Sequence, residues 1–143
     1  MGNGGSSSTA SHMVNDINKT ASMNMEKKFK VISLTDNVPV VLAWANDVSY
    51  DSIFVEQLKG FLSEGDVVIG ISGSGNSPNV LKAIEYANSK GNVTIGLTGI
   101  GGGKLKGMAK LPLVIEDDSM QRVEDFHLMA NHILTHVFKM MKD

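Results

Sequence analysis

The run Ser72-Gly73-Ser74-Gly75-Asn76-Ser77-Pro78 is the part of this 143-residue chain best equipped for chemistry. Its glycines let the backbone come close to an anion and turn N–H groups toward it. Ser77 suits a helix N-cap and Pro78 suits the first helical position. A helix starting here would add a partial positive charge and free N–H donors. Ser72, Ser74 and Ser77 bring hydroxyls to the same point, and none carries a charge that could bind a bare cation. This is an anion cradle suited to a phosphate monoester. It is neither G-x-x-x-x-G-K-[ST] nor G-x-G-x-x-G. The purely structural alternative is a strand–helix turn capped by Ser77, but a cap needs one serine, not three.

A second set of residues lies on expected helices. His12 and Asp16 are four apart and share a face. Glu124 and His132 are eight apart, again on roughly one face, with His127 and His136 elsewhere around that helix. Two histidines and two carboxylates could bind a divalent metal such as zinc, or form an acid/base pair. Nothing like H-E-x-x-H supports the metal, and helical histidines at such spacings are more often solvated or packed. Asn46-Asp47 closes an apolar helix, and the simplest role for the pair is a helix end. Trp44 and the nine methionines read as core or interface filling.

The elements that must position these residues follow from periodicity. A helix capped by Ser6, Ser7 or Ser8 is expected to run to about Met23, with Ala10, Met13, Val14 and Ile17 at helical spacing. Residues 29–34 (FKVISL) read as a short buried strand, and Thr35-Asp36-Asn37 as a turn and helix start. Residues 38–45 are apolar throughout and belong to a core or an interface. Residues 50–62 read as an amphipathic helix with Ile53, Phe54, Leu58 and Phe61 on one face. Then come a strand (66–71), the serine loop and a helix over 78–90 with Val80, Leu81, Ile84 and Ala87 inward. A second strand (92–97), a Gly-rich loop (98–103), a helical turn (104–108), a third strand (111–115) and a long helix over 119–141 capped by Ser119 complete the chain. Strands alternating with helices, each strand apolar on both faces, imply a parallel sheet of four strands covered on both sides. Both Gly-rich loops fall at the carboxyl ends of strands, where such sheets bind ligands.

Composition narrows the class. The chain is 42% apolar and 20% charged, with net charge −2 and no cysteine. Disulfides and thiolate chemistry are excluded, and nothing argues for nucleic acid or a membrane surface as partner. No apolar run is long enough to span a bilayer and no signal peptide is visible, so a cytoplasmic protein of one domain is expected. Met1–Met13 (MGNGGSSSTASHM) has the look of a cloning scar, yet the helical pattern continues from it without a break. A Gly-rich loop at position 2 should follow a strand, and none precedes it, so the chain reads as truncated at its N-terminus.

A family resemblance links these pieces. Gly2-Asn3-Gly4-Gly5-Ser6, His12 and Asp16, Asn46-Asp47, GDVVIGISGSGNSPNVLKAIEYA, LTGIGGGK, and Arg122 to His132 occur in an order that resembles the sugar isomerase (SIS) domain family, nearest the phosphoheptose isomerase branch. The resemblance covers essentially the whole chain from Gly2 and is most specific at Ser72–Ser77. It implies a three-layer α/β sandwich, a single SIS domain over residues 1–143 that lacks the first family strand, and a native Met1–Met13 segment.

The resemblance also assigns roles. Asn3, Gly4, Gly5, Asp16, Asn46, Asp47 and Glu124 would contact a phosphorylated sugar, and Ser72, Gly73, Ser74 and Ser77 would hold its phosphate. His12, Asp16, Glu124 and His132 fall on zinc positions, one zinc per subunit of a homotetramer. Asp16 and His132 fall on the catalytic pair of an aldose–ketose isomerase that interconverts sedoheptulose 7-phosphate and a heptose 7-phosphate through an enediol. Two positions depart from the pattern, which has glutamate at Asp16 and glutamine at Glu124. The shorter Asp16 sets its carboxylate back by ~1 Å, a displacement that can cost ~10²-fold in rate. The alternative is a non-catalytic SIS module that senses a sugar phosphate or binds a protein partner, as replication-initiator-associating relatives do.

Overall fold

The computed structural model describes residues 1–141. Three strands form one parallel sheet in the order β1 (Val67–Ser72), β2 (Val93–Thr98), β3 (Leu111–Val114). Val67 pairs with Val93 and Ile95 with Leu111, so the register carries Ser72 and Thr98 side by side to the carboxyl edge. Among the described residues six α-helices accompany the sheet: α1 (Gly5–Asn15), α2 (Val38–Asp47), α3 (Val55–Phe61), α4 (Pro78–Ser89), α5 (Gly103–Met108) and α6 (Met120–Met140).

Strand alternation sorts the core into two layers. Val68 faces α4 and joins Val80, Ala83 and Ile84, with Ile53 and Phe54 behind them. Ile71 and Leu97 face the other way and join Ala10, Met13 and Ile17 of the first helical segment. Burial of such side chains contributes roughly 1.5–3 kcal/mol each. The doubly wound α/β architecture expected from the alternating pattern is therefore present.

Several local expectations fail for physical reasons. Residues 29–34 are not a strand, so the sheet has three strands where four were expected. The Asn18 amide takes both polar groups of Val31: Nδ2 donates to its carbonyl (2.7 Å) and Oδ1 accepts from its N–H (2.9 Å). The Ser22 hydroxyl accepts from Phe29 N–H. Side chains thus satisfy a backbone that strand pairing would otherwise serve. Phe29 still packs, its ring 5.0 Å from that of Phe138. The expectation that each strand is apolar on both buried faces fails at β3, where Leu111 and Leu113 are exposed. At the other edge, Met1 and Gly2 supply a fragment of parallel pairing to β1: the Met1 amine donates to Ile69 O and Ile71 N–H donates to Met1 O.

The first helix starts on Gly4, not on a serine side chain, and it changes at Asp16 into a π-helical turn (Asp16–Ala21). Helix α2 buries no residue completely; Val41, Trp44 and Ala45 lie partly against the core while Val38 and Leu42 face outward. The expected helix over 50–62 splits into a 3-10 turn (Tyr50–Ser52) and α3, which turns Phe61 to solvent. Asn37 and Ser119 cap α2 and α6 as expected, accepting from Val40 N–H and Arg122 N–H.

Candidate functional site

Three helices begin around one cavity at the carboxyl edge of the sheet. The cavity, of about 160 Å³, is lined by Asn3, Ser6, Ser72, Gly73, Ser74 and Ser77, with Ile71, Met120 and Glu124 completing it. Ser6 lies in the first turn of α1, Ser77 immediately precedes α4, and Met120 opens α6. Each helix start brings partial positive charge, although the Ser6, Ser7 and Ser8 N–H groups of α1 already bond the Asn3 and Gly4 carbonyls and the Val80 N–H of α4 bonds Asn79 Oδ1. Only one of these helices was expected at this site from sequence; the other two strengthen the case for an anion.

The serines are committed to the cavity. Ser77 makes no side-chain bond to the helix it precedes. Its hydroxyl instead lies 2.9 Å from Ser72 Oγ, which is 3.4 Å from Ser74 Oγ. The capping role expected of Ser77, and the purely structural interpretation built on it, therefore fail. A strand–helix turn that needed only a cap would spend that hydroxyl on an amide.

Close packing fixes the loop. Gly75 has φ +64°, and a Cβ there would overlap the Gly102 carbonyl. The second Gly-rich loop buttresses the first: Gly99 N–H donates to Gly73 O (2.9 Å) and Leu105 N–H to Gly75 O (2.9 Å). Asn76 Oδ1 accepts from Lys104 N–H, and Asn76 Nδ2 donates to Ser74 O. Such a preformed cradle binds with little ordering cost.

Asn3 lines the cavity through residues that sequence patterns did not single out. Its amide exchanges two hydrogen bonds with Asn79 (3.0 and 2.9 Å), a buried residue in the first turn of α4. The Tyr50 hydroxyl also donates to Asn3 Oδ1. The only signal for Asn79 was its place after Ser77-Pro78; Tyr50 carried none. Gly4 and Gly5 flank the cavity without lining it. The Glu124 carboxylate lies against Gly5 so closely that a Cβ there would overlap it. Asn46 and Asp47 lie outside the lining, exposed at the end of α2 and bonded to each other (2.8 Å).

The second group assembles across the chain. His12 Nε2 is 3.3 Å from Asp16 Oδ2, His132 Nε2 is 3.6 Å from the same oxygen, and the two ring nitrogens are 3.3 Å apart. Tetrahedral zinc with ligands at about 2.0–2.1 Å sets neighbouring donor atoms about 3.3–3.4 Å apart. The donor set, two imidazoles and a carboxylate, thus matches a zinc-type ion on two edges, with the third, His132 Nε2 to Asp16 Oδ2, slightly longer at 3.6 Å. Glu124 is not in this group; it lies about 12 Å from His132 along α6 by helical rise. Asn131 Nδ2 donates to Asp16 Oδ2 (2.8 Å). His127, expected elsewhere around the helix, is fully buried with Nε2 3.2 Å from Thr98 O, and burial holds its pKa below the usual imidazole value. His136 is exposed.

Comparison with known proteins gives a consistent result. Residues 1–99 match a family model described as SIS domain. The phosphoheptose isomerase of Fusobacterium nucleatum is 41% identical over 134 residues, which span 93% of this chain and 68% of that protein. The phosphoheptose isomerase of Trichlorobacter lovleyi is 40% identical over 135 residues, 94% of this chain and 68% of that protein. Among solved structures, phosphoheptose isomerase GmhA from Neisseria gonorrhoeae superposes with TM-score 0.91 at 29% identity, covering 99% of this chain and 74% of that one. A phosphoheptose isomerase from Francisella tularensis gives TM-score 0.90 at 28% identity, covering 98% and 74%.

Proposed function

The chain belongs to the SIS domain family, on its phosphoheptose isomerase branch, and from that premise we propose how its residues divide the work of a sugar-phosphate isomerase. The reaction is the aldose–ketose interconversion of sedoheptulose 7-phosphate and D-glycero-D-manno-heptose 7-phosphate. The carrying observation is the Ser77 hydroxyl, which is withheld from its helix and directed with Ser72 into a cavity ringed by three helix starts. That cavity takes the phosphate. Glu124, in the same lining, repels the phosphate and accepts hydrogen bonds from the sugar hydroxyls instead. Asn3 is held for the sugar by Asn79 and Tyr50. Gly4 and Gly5 contribute backbone beside it, and Asn46-Asp47 would reach the sugar only from the exposed end of α2.

The reacting end belongs at His12, Asp16 and His132. By helical rise, His12 lies about 9 Å along α1 from Ser6, a separation that an extended seven-carbon sugar phosphate can bridge. Phosphate binding remote from the reaction orients C1 and C2 there. Asp16 removes a proton from one carbon, exchanges it with solvent, and delivers a proton to the other carbon of the enediol. His132 serves the oxygens as acid and base. His12, Asp16 and His132 would hold a divalent ion such as zinc, which when bound supplies Lewis-acid polarisation of the carbonyl oxygen.

Among the described residues no helix is long and apolar enough to cross a membrane. We extend the proposal to a cytoplasmic homotetramer. The apolar residues left exposed on α2 and α6, among them Leu42, Ile133 and Met140, support such an assembly. A coupled assay with sedoheptulose 7-phosphate tests the reaction. The non-catalytic alternative predicts sugar-phosphate binding with no conversion at any metal concentration.

A further inference from the structure

Asp16 is a short carboxylate asked to face two histidines on two different helices. It sits at the junction where α1 gives way to the π-helical turn. The backbone there departs from α geometry, so the helix alone does not fix the direction of its side chain. Both its oxygens are nevertheless held. Asn15 Nδ2 donates to Oδ1 (3.3 Å), and Asn131 Nδ2 donates to Oδ2 (2.8 Å). Oδ2 is the oxygen that both His12 and His132 face.

Asn131 is an unusual residue for its location. It is fully buried on α6, one position before His132. Its own Oδ1 has no hydrogen-bond partner among the described residues. A buried unpaired carbonyl is destabilising, and an apolar side chain of similar size would avoid it. Packing therefore does not explain the amide; its one hydrogen bond, to Asp16, does. The amide orientation is also determined, because turning it over would set a carbonyl against a carboxylate.

From this, and resting on the division of roles proposed above, we infer that Asn131 is the positioning residue that aims the Asp16 carboxylate at His12 and His132. It is a neutral donor, so it orients the carboxylate without adding a competing charge. It is not among the residues that line the serine cavity. Outer partners of this kind are worth about 10–100-fold in metal affinity.

The test is Asn131→Leu, with Asn131→Ala as a second variant should Leu fail to fit. Zinc affinity is measured on purified, metal-stripped protein by competition with a chromophoric chelator. We expect about 10–100-fold weaker zinc binding, a lowered kcat, and an unchanged KM for sedoheptulose 7-phosphate. In an Asp16→Asn background, Asn131→Leu should weaken zinc no further. Wild-type zinc affinity in both Asn131 variants, or an equal loss in the Asp16→Asn background, overturns the inference. A metal-independent readout accompanies it: the Asn131 side-chain amide resonances in 15N–1H spectra should shift on Asp16→Asn. Absence of that shift also overturns the inference. A wild-type chain that neither binds zinc nor isomerises the sugar would count against the proposed function instead, with the amide resonances still deciding the Asn131 contact.

Discussion

The serine cavity and the His12–Asp16–His132 cluster are built on opposite plans. The cavity is partly enclosed, with Ser6 and Ser72 buried, and its donors are redundant: hydroxyls, loop amides and three helix starts. The cluster is open, with the His12 and His132 side chains 45% and 53% exposed, and everything in it converges on one oxygen of a 13% exposed Asp16. A redundant site loses affinity in steps when donors are removed. A convergent site fails at once when its centre is removed. Binding should therefore degrade gradually and catalysis abruptly.

The sharpest way to break this contrast is Asp16→Ala. It should lower kcat by ~10²–10⁴ while leaving sugar-phosphate binding, measured by calorimetry, within a few-fold. Strong loss of binding would mean that the two regions are not separable. Next in size is the double variant Ser72→Ala with Ser77→Ala. Hydrogen bonds to a charged group are worth about 1.5–3 kcal/mol each, so losing two should lower kcat/KM by ~10²-fold or more, mainly through KM. Each single variant should do less than half as much in free energy if the remaining donors compensate. A full loss from one serine would show that the cavity is not redundant.

Gly75→Ala probes the cavity's geometry rather than its donors. A left-handed φ costs a non-glycine residue about 1–3 kcal/mol, and the added Cβ would overlap Gly102 O. The melting temperature should fall by several degrees and KM should rise, while zinc binding at the cluster stays unchanged. The smallest effect concerns His127, which lies on α6 between the two regions. Burial pushes its pKa down, against the raising influences of the Thr98 carbonyl and Glu124. The folded protein thus resists a proton that the unfolded chain accepts near pH ~6.5. Stability should fall as pH drops below that value, by at most about 1.4 kcal/mol per pH unit from this group. His127→Leu should flatten the slope of thermal stability against pH below 6.5; an unchanged slope would refute the assignment.

The same contrast governs what the sequence made legible. The serine cradle is local: a strand, two loop glycines, three serines and Pro78 lie within a dozen residues, so periodicity and turn chemistry sufficed to read it. The helices α4 and α6 and strands β1 to β3 were readable for the same reason. The cluster joins His12 to His132 across 120 positions, and spacing on separate helices could not say which helices meet. Family resemblance supplied that pairing. It also grouped Glu124 with the cluster, whereas the carboxylate lies over Gly5. Residues 29–34 looked like a strand because apolar β-branched residues serve a strand and an extended segment equally well. The deciding Asn18 clamp comes from another element. Asn131 was invisible because a lone asparagine on a helix has no pattern; only its burial and its bond to Asp16 mark it.

The most direct test of the division between anchoring and chemistry is solvent exchange at the sugar carbons. Zinc-supplied wild-type protein is incubated with sedoheptulose 7-phosphate in deuterium oxide, and the recovered sugar phosphates are analysed for deuterium at C1 and C2, alongside Asp16→Ala. The expected result is interconversion with deuterium incorporation by the wild type, and neither in Asp16→Ala although that variant still binds the sugar phosphate. Deuterium incorporation by Asp16→Ala at the wild-type rate, or binding without any exchange by the wild type, would contradict it.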